Sequence, residues 1–535
     1  MSTYGIDLGT TYSCIATLDN NGNPEVVRNQ VDASDTLASV VYFESSDNVV
    51  IGASAKDMIE TDGDRVVQFV KREIGKPDAH TYEFDGKTYT PVEISSLILK
   101  RLKQMVEEQG GNVDDVVITC PAYFGLEERN ATKKAGELAG LHVLNLINEP
   151  TAAALSYCAR QFQEERTILV YDLGGGTFDV TIVKMSQVLN DEGNEVQKVT
   201  VVATGGNDKL GGKDWDDKLF EYIIQVCCDE NGLTPLEIDA ETRQIIRSRV
   251  EIAKKKLSTS ESTKVKINVN GSMTNIVITR DEFEQLTSNL VAQTMNYVEE
   301  VIKNANNPNI DMVLLVGGST YMPMIHDTVE KRFPQKVQLH DPDRAVAMGA
   351  AIYASMLVEE NMLEMSFSEN GLTSSTIKKG KFSIEDQTPR SFGPGVYDEN
   401  EQYVIDNIIK MGVSMPAKSV QTYYTPEDNM PKIILRVFEN MSMDETLIPC
   451  VNEQGKSQEC NVADNVKLLG DLEMALPVAT KKNTPIEVTF KVDALGVYVK
   501  AKNVYNGEAV ETTLHMDSDI DVKRSCVNLV KVSAE

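Results

Sequence analysis

Val170-Tyr171-Asp172-Leu173-Gly174-Gly175-Gly176-Thr177-Phe178-Asp179-Val180 is the stretch on which the reading of this chain turns. It follows an apolar run at 167–171 and precedes an alternating one, so it predicts a strand, a glycine turn and a second strand. Three successive glycines let the backbone come close to a ligand and aim its N–H groups at one point, which suits phosphate oxygens. Asp172 and Asp179 flank the turn. Two carboxylates beside a phosphate cradle repel a nucleotide unless a hard divalent cation lies between them, so the pair implies magnesium held through waters. The implied ligand is a magnesium nucleotide.

The same device opens the chain. Tyr4-Gly5-Ile6-Asp7-Leu8-Gly9-Thr10-Thr11-Tyr12-Ser13-Cys14-Ile15-Ala16 again places Asp-Leu-Gly and threonines between two short apolar strands. A lone glycine turn is as readily an ordinary hairpin. A supersecondary unit repeated at long range instead suggests two similar halves facing each other, each giving one hairpin to a nucleotide caught between them.

At 535 residues the chain is too long for one core, and length alone suggests roughly three or four folding units. The 52 basic and 81 acidic residues leave a net charge of -29, which argues against nucleic acid or an anionic membrane as the main partner. No apolar run approaches the roughly 20 residues of a membrane helix, and Asp7 is reached without a basic and apolar leader, so a cytoplasmic location is expected. The eight cysteines, at 14, 120, 158, 227, 228, 450, 460 and 526, form no Cys-x-x-Cys pair and read as reduced thiols. Cys450 and Cys460 could close a small loop in an oxidising compartment.

Residues 1–360 alternate β-branched runs with helix-period segments, which is α/β patterning. From about 360 the texture changes: 366–381 is rich in Ser, Thr, Gly, Asn and Lys, as a connector is. Beyond it, strand-like stretches at 421–425, 432–438, 485–492 and 497–502 predict a β-sandwich. The region 219–257 reads as helical, with Glu251, Lys254, Lys255 and Ser258 on one face; an ordinary solvated stripe looks the same. The segment Met312-Val313-Leu314-Leu315-Val316-Gly317-Gly318-Ser319-Thr320 predicts a buried strand ending in a glycine turn able to meet a ribose or phosphate.

With residues 7–11, Pro121-Ala122-Tyr123-Phe124, Ile147-Asn148-Glu149-Pro150-Thr151-Ala152-Ala153-Ala154, residues 172–179 and residues 316–320 in order, the chain resembles the seventy-kilodalton heat-shock chaperones of the DnaK type over most of 3–355. The resemblance implies a duplicated, two-lobed actin-like ATPase domain at 1–360, a linker at 361–385, an all-β sandwich for peptide binding at 386–517 and a tail at 518–535, with no helical lid. It implies ATP, ADP and magnesium as ligands and slow ATP hydrolysis. Gly9, Thr10, Thr11, Tyr12, Gly174, Gly175, Gly176 and Thr177 match the phosphate loops, and Asp7, Asp172 and Asp179 the magnesium-site carboxylates. Lys71 matches the family's essential lysine near the γ-phosphate, and Glu149 a residue that places the metal's hydration shell. Gly211 and Gly212 match a nucleotide-contacting turn; Glu251, Lys254, Lys255, Ser258, Gly317, Gly318, Ser319 and Asp343 match adenosine-binding positions. Pro121 and Arg129 match an interdomain relay. Residues 386–393 and 425–429 resemble the peptide-binding domain, and Tyr423, Ile433 and Leu435 fall where the family lines a pocket for one apolar side chain. Ordinary sandwich core is the alternative for those three.

The chain also departs from the family. Gly380-Lys381-Phe382-Ser383-Ile384-Glu385 is more polar than the leucine-rich linker of typical members, which puts ATP-driven coupling in question. Without a lid, peptide exchange is expected to be fast. Asn145 stands where bacterial members carry an arginine used by J-domain partners, Tyr321 replaces an arginine that packs on adenine, and the segment between 75 and 91, on a surface used by exchange factors, is short. The expected function is an ATP-dependent chaperone for extended apolar segments of unfolded or partner proteins. The alternative is a nucleotide-switched adaptor for one dedicated partner, and a small-molecule kinase on the same fold is disfavoured by the appended sandwich.

Overall fold

A computed structural model describes residues 3–45, 48–76, 78–161, 165–189, 195–369, 382–397, 403–441, 446–447, 466–493 and 496–514. Cys450, Cys460 and Cys526, the linker from 370 to 381, and residues 515–535, on which the tail and lid expectations fall, lie outside them. The chain divides into two compact units, residues 1–123 with 131–384, and residues 124–130 with 385–535.

The first unit contains one strand pattern twice. In the first copy β1 (Thr3–Asp7), β2 (Tyr12–Leu18) and β3 (Pro24–Val26) form an antiparallel meander, and β4 (Asp115–Cys120) and β5 (His142–Asn148) join the other side of β1 in parallel. In the second copy β6 (Arg166–Leu173), β7 (Phe178–Leu189) and β8 (Glu195–Asn207) form the meander, and β9 (Met312–Val316) and β10 (Val337–Leu339) join β6 in parallel. Strand order and polarity coincide, so the two Asp-Leu-Gly turns occupy equivalent places. Each copy's last strand leads to a helix, α1 (Glu149–Gln161) or α4 (Ala345–Glu369), and these cross where Gly349 meets the backbone of Ala152. A side chain at 349 would hold the helices apart. β9 and the middle of β6 read Met-Val-Leu-Leu-Val and Ile-Leu-Val-Tyr, with successive residues all buried, as strands covered on both faces are.

The region expected to be helical from 219 to 257 is two helices, α2 (Gly212–Asn231) and α3 (Ala240–Thr259). The break has local causes. Gly232 caps α2 at φ 65, Pro235 opens a short 3-10 turn, and Asp239 caps α3 by accepting from Thr242 N at 2.6 Å. Trp215 on α2 is fully buried and donates to Met324 Sδ at 3.4 Å.

The second unit holds two antiparallel sheets. One runs β12 (Tyr403–Ile405), β11 (Ser391–Tyr397), β14 (Lys432–Asn440), β15 (Val466–Ala475), with the short Thr446–Leu447 strand beside β12; the other runs β13 (Ala417–Tyr424), β16 (Pro485–Asp493), β17 (Gly496–Asn503), β18 (Ala509–Leu514). Alternate residues of β14, β16 and β17 point inward and form the core. Tyr423, Ile433 and Leu435 belong to that core at 0%, 0% and 1% exposure. Their strand phase turns them toward the opposite sheet, and their side chains are covered there. Tyr423 donates its hydroxyl to Asp406 Oδ2 at 2.8 Å inside the sandwich. Tyr423→Phe is therefore expected to lower stability by about 1–3 kcal/mol, since it removes a charge-assisted bond from a buried carboxylate. Urea denaturation followed by circular dichroism checks this, and an unchanged midpoint would contradict it.

Candidate functional site

The glycine turns earn their composition by close approach. A Cβ on Gly175 would run into the Thr11 side chain, and one on Gly176 into Thr10, so the two equivalent turns mesh. All three carbonyls of the second turn are engaged: Gly174 O accepts from Gly212 N at 3.0 Å and Ser319 Oγ at 2.8 Å, Gly175 O from Lys213 N at 2.8 Å, and Gly176 O from Arg72 Nε at 2.8 Å. A trans peptide directs its N–H opposite to its C=O, so the N–H groups of Gly175, Gly176 and Thr177 point away from those donors. Successive N–H groups disposed in this way form an anion cradle. A cavity of about 660 Å³ opens beside the turns, lined by Gly9, Thr10, Thr11, Gly174, Gly175, Thr177 and Gly212.

Beneath the turns lie the charged groups. Lys71 sits in a single 3-10 turn, Val70–Arg72, entered through Phe69 at φ 60. Its ammonium donates to Glu149 Oε1, the first residue of α1. Both are buried, as are Asp172 at the end of β6 and Asp179 at the start of β7, which face each other across the hairpin. Asp7 ends β1 and accepts from Thr119 Oγ1 at 3.3 Å. Burial, and secondarily the charge of Glu149, pushes the carboxyl of Asp7 up to about 7 and those of Asp172 and Asp179 well above the usual carboxylate range. Burial alone would lower the Lys71 ammonium, but Glu149 and Asp7 outweigh it and raise it. Four carboxylates thus surround one lysine.

Asp179 keeps one oxygen uncommitted: its Oδ1 accepts from Ala122 N at 2.9 Å, while its buried Oδ2 has no hydrogen-bond partner. Among the described residues no three acidic or metal-ligating side chains come close enough to hold a metal directly. Asp7, Asp172 and Asp179 present hard oxygen donors of the kind a divalent cation or its water shell takes.

At the other end, Tyr12, Glu251, Lys255 and Lys56 form one cluster. Lys56 Nζ lies 2.5 Å from Glu251 Oε2 and 3.0 Å from the Tyr12 hydroxyl, and Lys255 Nζ is 2.8 Å from each of Tyr12 OH and Glu251 Oε1. Burial opposes ionisation of Glu251, but Lys56 and Lys255 prevail and hold its carboxyl at about 2. Lys254 is spent on protein groups, at 2.6 Å from Gly212 O and 2.8 Å from Asp216. Gly317, at φ 83, takes a conformation few other residues adopt and brings Gly318 and Ser319 to the cavity beside Asp343 and Tyr321. Ser258 lines the same wall. The expected adenosine positions thus surround one cavity. The α3 stripe is more than an ordinary solvated face, because Glu251, Lys254, Lys255 and Ser258 all line this cavity.

Sequence reasoning passed over Lys56, Arg72, Lys213, Asp214 and Asp216. A signal existed for two of them: Arg72 adjoins Lys71, and Asp214 falls at the third position of a helix that starts after Gly211. Lys56 carried none, since its partners lie about 40 and 200 residues away. Gly211 N donates to Asp214 Oδ2 at 2.8 Å. Pro121 follows β4 and adjoins Ala122; Arg129 donates to Phe124 O at 3.0 Å within the 124–130 stretch. Asn145, on β5, donates to the Tyr353 hydroxyl at 3.0 Å. Among the described residues no helix is long and apolar enough to cross a membrane.

Residues 3–82 and 76–533 match the family described as Hsp70 protein. Over 97% of its length the chain is 34% identical to the "Chaperone protein DnaK" of Thermosipho melanesiensis and 35% identical to that of Thermotoga neapolitana, covering 82% of each. The protein of the same name from Thermotoga petrophila is 34% identical over the same share. A match of this extent, over a chain whose repeated hairpins carry the matching Asp-Leu-Gly turns, leaves one conclusion: the chain belongs to the Hsp70 family, which couples an actin-like ATPase domain to a β-sandwich and whose members are ATPases.

Proposed function

We propose that this chain is an ATP-hydrolysing chaperone, with the nucleotide cavity in residues 1–360, a linker at 361–385 and a sandwich at 386–517 that holds extended apolar segments of unfolded or partner proteins. The observation that carries the reading is the buried Lys71 among Asp7, Glu149, Asp172 and Asp179 beneath two meshed phosphate-type turns. Such a site works by positioning and charge neutralisation, with no covalent intermediate on the protein. The glycine turns and threonines orient the phosphates, the α3 stripe with Gly317, Gly318, Ser319 and Asp343 holds the nucleoside, and Lys71 offers its ammonium on the γ-phosphate side. A divalent ion, when bound, offsets phosphate charge. A cytoplasmic location belongs to the same reading. J-domain and nucleotide-exchange partners belong to it too, with Asn145 as the position where recognition would differ.

A second reading, an adaptor with one dedicated partner, is favoured by the covered state of Tyr423, Ile433 and Leu435 and by the polar sequence at 380–385. Steady-state ATP hydrolysis with magnesium, with and without a saturating unfolded polypeptide, separates the two. A rate that rises with polypeptide supports the coupled chaperone. An indifferent rate supports the adaptor, and no activity above that of Lys71→Ala rejects the ATPase.

A further inference from the structure

We infer that Arg72, held by Asp214, is a positioning residue for hydrolysis. The inference rests on the ATPase reading but concerns residues outside the cavity, since neither side chain lines it. Arg72 Nε donates to Gly176 O at 2.8 Å, and its Nη2 lies 2.6 Å from Asp214 Oδ2. Its side chain is 12% exposed, too covered for the pair to be an ordinary surface bridge. Asp214 Oδ2 also accepts from Gly211 N at 2.8 Å.

One guanidinium thus joins three segments: the 3-10 turn of Lys71, the glycine turn before Thr177, and the Gly211–Gly212 turn that opens α2. Fixing the carbonyl of Gly176 fixes the plane of the Gly176–Thr177 peptide, and hence the direction of the Thr177 N–H. Because Arg72 follows Lys71 directly, the same bond sets the Lys71 turn against that peptide. The planar fork of arginine holds its two acceptors at a fixed angle, which a shorter lysine with a freely rotating ammonium does not. Arg72 thereby keeps the lysine and the Thr177 peptide in register without touching nucleotide.

The test is single-turnover hydrolysis and equilibrium ATP binding with the full chain, comparing wild type with Arg72→Ala, Arg72→Lys and Asp214→Asn. The single-turnover rate of Arg72→Ala is expected to fall about 10–10²-fold, the cost of a misplaced reacting group, while ATP affinity stays within about threefold. Arg72→Lys recovers only a minor part of the rate. Asp214→Asn, nearly isosteric, falls in the same direction by a smaller factor, and it carries the test if Arg72→Ala does not fold by circular dichroism. Rates within about threefold of wild type, parallel losses of rate and affinity, or full recovery by lysine would each overturn the inference. Absence of hydrolysis in the wild type would instead overturn the ATPase reading, a separate result.

Discussion

Lys71→Ala is expected to lower ATP hydrolysis by about 10²–10³-fold, the usual loss when a preorganised donor to developing charge is removed. ATP binding should change far less, because the turns, the α3 stripe and Gly317, Gly318 and Ser319 are untouched. The physical ground is that Lys71 is the cation set among four carboxylates, buried and fixed by its ion pair with Glu149. Truncation leaves Glu149 without its partner in a covered position, and breaking a buried pair from one side costs about 3–5 kcal/mol. The variant should therefore melt lower. Hydrolysis measured in single turnover, beside a melting curve, distinguishes loss of chemistry from loss of fold. A variant that folds and still hydrolyses ATP at the wild-type rate would remove Lys71 from the site.

The second large effect concerns protons and divalent cations. Asp7, Asp172 and Asp179 have folded-state pKa values raised above the ordinary range, chiefly by burial. The folded chain therefore holds protons that the unfolded chain has already released, so metal-free stability falls as pH rises from about 4 through about 7. For Asp7, a rise from 3.8 to about 7 corresponds to about 4 kcal/mol across that window. The expected result is a metal-free melting temperature roughly 5–10 °C lower at pH 8 than at pH 5.5, the size a few kcal/mol produces in a unit of this kind. Magnesium should restore much of the difference at pH 8 and little at pH 5.5, because it replaces the protons. Asp179→Asn, which neutralises the carboxyl whose Oδ2 has no partner, should flatten the metal-free curve. A melting temperature that is flat or rises with pH, or magnesium stabilisation equal at both pH values, would show that the cluster is not a proton-linked cation site.

Both effects come from groups whose legibility in the sequence differed sharply. The turns at 7–11 and 172–179 could be read directly, because a glycine cradle between two short strands is a local device and its composition declares the backbone geometry it needs. The repetition of that device foretold the two equivalent sheets. Lys71 and Glu149 were different: as residue types they are indistinguishable from a surface lysine and a helix-opening glutamate, and only resemblance to a family selected them. Arg72 and Lys56 escaped altogether, since their partners are remote in the chain.

The sandwich gives the converse lesson. Tyr423, Ile433 and Leu435 lie on strands that were foreseen from their spacing, yet whether an apolar strand residue lines a groove or fills a core depends on the sheet opposite, which period-2 alternation does not describe. By itself the sequence determined the paired phosphate turns, the α/β and all-β halves, and the acidic character of the chain. Those properties are written within a few residues of each other and follow from backbone sterics and side-chain periodicity. Only the tertiary structure decided that four carboxylates converge on one lysine, that Arg72 ties three turns together, and that Tyr423, Ile433 and Leu435 are covered inside the sandwich, because burial, ion pairing and shifted protonation arise between groups that the chain holds far apart until it folds.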